Sequence, residues 1–125
     1  MAIDVTALKT TKLGVVFGIG MITHMNGEPY YDSDNQHFPD DVMLKCTTEF
    51  MMSDRINNSE HTEITEGTVV HSFPLTKENA EAYGIDTPIN GWLIAVKVND
   101  DTLKKFESGE YRGFSIEGTA HWLDE

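Results

Sequence analysis

A chain of 125 residues with 39% hydrophobic content has room for one folded domain with a real core and too little for two. Lysine and arginine number 9 against 21 aspartates and glutamates, and the resulting net charge of −12 repels phosphate backbones and argues against a nucleic-acid partner. The single cysteine, Cys46, excludes an internal disulfide and a cysteine-based zinc site, and no stretch reads as a signal peptide or a membrane span.

Residues 1–12 mix small, polar and apolar types without a sustained period, and are expected to form an N-terminal arm ahead of one domain over 13–125. Leu13-Gly-Val-Val-Phe-Gly-Ile-Gly-Met-Ile22 is β-branched and interrupted by glycines, which predicts a strand buried on both faces and bent at Gly18 or Gly20. Its glycines make no phosphate loop, since no Gly-Lys-Ser/Thr follows. Residues 23–38 are polar loop material. Asp32, Asp34 and Asn35 there lack the glycine and closing glutamate of a calcium loop.

Pro39 predicts the first turn of a helix running to about residue 52, with Asp40 and Asp41 suited to its dipole and Val42, Cys46 and Phe50 on one stripe. That spacing makes Cys46 a core residue rather than a nucleophile. A polar segment carrying His61 leads into Gly67-Thr-Val-Val-His-Ser-Phe73, a strand closed by Pro74. Thr76 caps a short helix over 77–83, stopped by Gly84. Gly91-Trp-Leu-Ile-Ala-Val-Lys-Val98 is almost wholly apolar and predicts a central strand, and Asp100 or Asp101 caps a helix over 102–108.

The last element runs from Tyr111 to Trp122. Alternation puts Phe114, Ile116, Ala120 and Trp122 on one face and Gly113, Ser115, Glu117, Thr119 and His121 on the other. The glycines open the backbone near Ser115 to close approach by another chain. On one straight strand His121 stands six residues, or roughly 20 Å, from Ser115.

Three stretches then fall in series: the polar segment with His61 running into Gly67–Phe73, the strand from Gly91 to Asp100, and Phe106-Glu-Ser-Gly-Glu-Tyr-Arg-Gly-Phe-Ser-Ile-Glu-Gly118. This series resembles the phage prohead (capsid maturation) serine proteases of the XkdF-like type, related in fold to herpesvirus assemblin. The likeness extends from about Leu13 to Thr119 and is most specific over 106–118. It implies an α+β fold in which a small closed or partly open β-barrel carries peripheral helices. It implies that Ser115, in the Gly-Phe-Ser motif, is the nucleophile and His61 its base. The implied substrates and partners are scaffold protein, segments of the major capsid protein and the protease itself, cut inside the immature phage head in the host cytoplasm. Neither a cofactor, a metal nor a membrane is called for, and a homo-oligomer is compatible. The chain departs from the pattern where relatives often carry Val-Val-Glu-Ser, because residue 71 is histidine.

The chemistry has its own logic. A serine hydroxyl attacks a carbonyl only when a base takes its proton, and neutral histidine does so near pH 7. The base needs a partner to fix its tautomer. His71 is the favoured candidate for that third role and Glu117 the alternative. His24 and His37 fall in the polar stretch and are expected to be solvated. A zinc hydrolase has no support, because His61-Thr-Glu63 is no zinc signature. The rival readings are a non-catalytic virion or head-assembly protein that keeps the protease fold, and an acidic module that docks a basic scaffold.

Overall fold

The computed structural model describes residues 3–54, 67–116 and 120–124. Seven strands form one antiparallel sheet: β1 (Ile3–Thr10), β2 (Val15–Met25), β3 (Glu28–Pro29), β4 (Gly67–Leu75), β5 (Ile89–Val98), β6 (Tyr111–Ile116) and β7 (Ala120–Asp124). Their order is β4-β5-β2-β1-β6-β7, with the two-residue β3 paired to β2. Among the described residues three α-helices join them: α1 (Asp40–Glu49), α2 (Lys77–Tyr83) and α3 (Asp100–Glu107).

The fold is therefore α+β, but the sheet is open. Strands β4 and β7 stand at its two ends, and no pairing joins them among the described residues. The expected barrel is corrected on this point, and the packing gives the reason. Strands of a closed barrel bury their inner face against one another, whereas here helices cover that face. Met43 and Phe50 from the α1 region and Leu103 and Phe106 from α3 pack with Val5, Val16, Trp92, Ile94, Val96 and Phe114 of the sheet. The Phe50 and Trp92 rings meet edge to face at 5.2 Å between centroids. Helix α3 also carries the chain across the sheet, since β6 lies three places beyond β5 in the order.

The first strand is the largest departure from expectation. Residues 3–10 are not an arm. They form β1, paired with β2 on one side and β6 on the other. Ile3, Val5 and Ala7 alternate with Asp4 and Thr6 as a strand requires. The period then breaks at Leu8, where the register against β2 shifts between Ala7 and Lys9. One extra residue in a bulge disguises a regular strand.

Other boundaries move for local reasons. Pro39 is the N-cap of α1, with ψ 155°, rather than its first residue, and beyond α1 the chain continues as a π-turn over Phe50–Asp54. The buried stripe of this helix is Met43, Thr47 and Phe50, whereas Val42 is exposed and Cys46 half-buried. Pro74 does not end β4, which reaches Leu75. An edge strand tolerates a proline because one of its sides needs no ladder donors. Thr76 caps α2 as expected, its hydroxyl accepting from the Asn79 amide while the Asn79 side chain accepts from the Thr76 amide. Asn99, not an aspartate, caps α3 by accepting from the Thr102 amide at 2.8 Å. No helix among the described residues is long and apolar enough to cross a membrane.

The indole of Trp92 is fully buried and donates from Nε1 to Ser72 Oγ at 2.7 Å. Replacing Ser72 with alanine removes that acceptor from a buried donor, and is expected to cost about 1–3 kcal/mol. A urea unfolding curve measures the loss, and a midpoint equal to wild type would contradict this account of the bond.

Candidate functional site

The site is built on β6. Phe114 is fully buried and pairs in register with Val5, which is also fully buried. Successive strand positions alternate between faces, so position 115 lies on the face away from this core. Asp4, exposed, stands directly opposite Ser115 on β1. On the other side β6 pairs with β7, and His121 stands directly opposite Ser115 there. Asp4, Ser115 and His121 thus occupy one row across three adjacent strands.

This row corrects the expectation for the last element. Residues 111–122 are not one straight strand. Strands β6 and β7 pair antiparallel across residues 117–119, so His121 comes back alongside Ser115 instead of lying roughly 20 Å along the chain. The signal was present in Glu117-Gly118-Thr119, a short glycine-containing run between two alternating segments, which is a hairpin cue.

Of the other residues expected at the site, His71 alone is among the described residues, and it lies elsewhere on the sheet. His71 is exposed on β4, its ring stacked on Phe17 with 6.2 Å between centroids. Strands β5, β2 and β1 lie between β4 and β6. At about 4.8 Å per strand spacing, His71 is roughly 19 Å from Ser115 across an open sheet. That distance removes it as the third member of a triad with Ser115. His61 and Glu117 lie outside the described residues.

Gly113, two residues before Ser115, also acts differently from expectation. A Cβ there would collide with the carbonyl oxygen of Val5. The close approach that this glycine permits is therefore made by the chain's own β1, and it holds Asp4 and Ser115 in register.

Compared with protein-family models, with curated proteins and with solved structures, the chain matches none. The chemistry of the site accordingly rests on its own geometry.

A cleft of about 420 Å3 reaches the row at Asp4 alone, with Asp4, Thr6 and Ile19 on the sheet side and Tyr30, Asp32, Asp34 and Phe38 on the loop side. The loop holds its own shape. Asp32 Oδ1 accepts from the amides of Asp34 and Gln36, both at 2.9 Å, and Asn35 takes a left-handed φ of 59°. Asp32 thus spends one carboxylate oxygen on backbone. The described residues hold no cluster of three or more His, Cys, Asp or Glu suited to a metal ion.

His24 and His37 are not solvated loop residues. His24 is on β2, half-buried, with Nδ1 at 3.0 Å from Thr23 Oγ1 and 3.3 Å from Asp40 Oδ1. His37 Nδ1 lies 3.0 Å from the Tyr30 carbonyl oxygen, and the two histidine rings meet edge to face at 5.8 Å. These contacts tie the 30–38 loop and the start of α1 to the sheet, which places the loop wall of the cleft.

Proposed function

We propose that this chain is a phage head maturation serine endopeptidase that cuts scaffold protein, segments of the major capsid protein and itself by Ser-His acyl transfer. Ser115 is the nucleophile in this reading, and a histidine is its base. The resemblance of Phe106–Gly118 to the prohead proteases motivates it. The observation that carries it is the register of that motif's serine: at a strand position off the core face, in a row with an acid and a histidine.

The reaction asks little else of the fold. A peptide carbonyl held near Ser115 is attacked by its oxygen once a base removes the proton. Two groups then share the work, and neither needs a cofactor. Cleavage takes place inside the immature head, where scaffold and capsid chains are concentrated around the enzyme.

A second reading is favoured by the open sheet. The fold that the resemblance implies closes into a barrel, and a chain that keeps the motif on an open sheet suits a non-catalytic head-assembly protein. Digestion separates the two. Purified protein incubated with the scaffold and major capsid proteins of its phage is expected to yield new termini, mapped by mass spectrometry. Intact substrates after prolonged incubation would exclude the protease reading and leave the assembly role.

A further inference from the structure

We propose that the sheet face turned away from α1 and α3 is a docking surface for an acidic protein segment, one that carries a large apolar side chain flanked by carboxylates. The proposal does not rest on the protease reading, and holds for a cutting or an assembling chain alike.

Register builds the surface. Phe17 stands opposite Lys9 on β1 and opposite Ala95 on β5, and Ala95 stands opposite His71 on β4. The adjoining positions Val16 and Val96 are buried in the core, so this row of four lies on the other face. The Phe17 and His71 rings, 6.2 Å apart and within 6° of parallel, close over the fully buried Ala95. A β-bulge interrupts the ladder at each end of the row, between Ala7 and Lys9 in β1 and between Val69 and His71 in β4. The extra residue is Leu8 in the first and Val70 in the second. Both are exposed, Leu8 by 64%. Bulges re-aim side chains, and these two turn aliphatic residues into solvent at the two ends of a row that already exposes Phe17. A single exposed leucine needs no explanation, whereas several apolar residues gathered on one face mark a contact surface.

Charge selects the occupant. The chain carries 21 acidic residues, yet the stretches that make this face, 6–10, 15–19, 68–73 and 93–97, contain none. Lys9 and Lys97 are their charged residues, and both are exposed. They flank Phe17 on opposite sides. Lys9 is its direct partner on β1, and Lys97, opposite Val15, is its diagonal neighbour on β5. Direct cross-strand Cβ atoms lie about 4.5–5.5 Å apart and diagonal ones roughly 7–8 Å, so both ammonium groups reach a chain seated on the Phe17 ring. Lys97 Nζ gives one donor to the Val98 carbonyl oxygen at 3.3 Å and keeps others for a ligand. The acidic remainder of the surface repels such a segment, but physiological salt screens charges beyond roughly 8 Å, and contacts inside the patch decide. A second copy fits less well, because a two-fold interface through this face sets one lysine-bearing patch against another.

The probe is a fluorescein-labelled synthetic peptide with phenylalanine between glutamates, titrated with the full chain at physiological salt. Saturable anisotropy is expected for wild type. Lys9→Glu/Lys97→Glu is expected to raise Kd roughly tenfold or more. Leu8→Ser is expected to weaken binding, and Val42→Ser, an exposed apolar residue of α1, to leave it unchanged. Urea midpoints confirm that the variants fold. Carbodiimide cross-linking of the probe to wild type gives the answer without any variant, since it joins probe carboxylates to nearby lysine amines. Cross-links are expected at Lys9 and Lys97 rather than at Lys45, Lys77 or Lys104 on the helices. No binding at millimolar chain, binding unchanged in the charge-reversed variant, or cross-links spread evenly over the lysines would overturn the proposal. So would a dimer in sedimentation velocity that Leu8→Ser dissociates, which would assign the face to a second copy.

Discussion

Ser115→Ala is expected to abolish cleavage of scaffold, capsid protein and the chain itself, and to leave the fold in place. The activity loss is total in practice because an alanine methyl cannot form the acyl intermediate. The structural cost is small because position 115 lies off the core face, in a row with the exposed Asp4. Substitutions at such positions usually stay within about 0.5 kcal/mol. The Ser115→Ala/His61→Ala double variant is expected to be no slower than Ser115→Ala, since in the proposed mechanism nucleophile and base act as a unit. Timed digests followed by intact-mass measurement read the activity, and urea midpoints read the stability. Retained cleavage in Ser115→Ala would remove the serine from the mechanism.

Gly113→Ala is expected to carry a large stability cost. The new Cβ meets the Val5 carbonyl oxygen directly, and lies 3.2 Å from the Val5 carbonyl carbon and 3.3 Å from Thr6 Cα. All three are backbone atoms of β1, so no side chain can swing aside. Strand β1 is the one that fully buries Val5 against Phe114, and it cannot retreat without opening the core. Overpacking of this kind costs about 3 kcal/mol at the upper end of its usual range. The same shift disturbs the β1–β6 pairing that places Ser115 opposite Asp4. A urea midpoint within error of wild type would show that the β1–β6 spacing is not fixed by this glycine.

The elements that kept a clean period were legible in the sequence. Strands β2, β4 and β5 and helices α2 and α3 lie close to their expected places, because β-branched runs and cap residues act locally. The misses share a physical cause: each depends on something a linear period does not carry. Leu8 sits in a bulge, so the alternation of β1 reads as noise although Ile3, Val5 and Ala7 keep it. The Glu117-Gly118-Thr119 connection keeps the alternation of its flanks in step, so two strands read as one. Barrel closure came from likeness to a family, and nothing in the pattern of single strands distinguishes a closed sheet from an open one covered by α1 and α3. At the proposed site, the face of position 115 was legible from the alternation of its strand. Its cross-strand neighbours were not, because register is a property of pairing and not of sequence distance. His71 drew attention by its place in the chain, yet three strands stand between β4 and β6.

The central claim is that Ser115 performs proteolysis during head maturation. Its most direct test is the mass spectrum of heads assembled by co-expression of the scaffold and major capsid proteins with either wild-type chain or Ser115→Ala. Wild-type heads are expected to contain capsid and scaffold chains shortened at defined termini, and Ser115→Ala heads are expected to contain the same chains at full length. Identical shortened termini in both sets of heads would contradict the account.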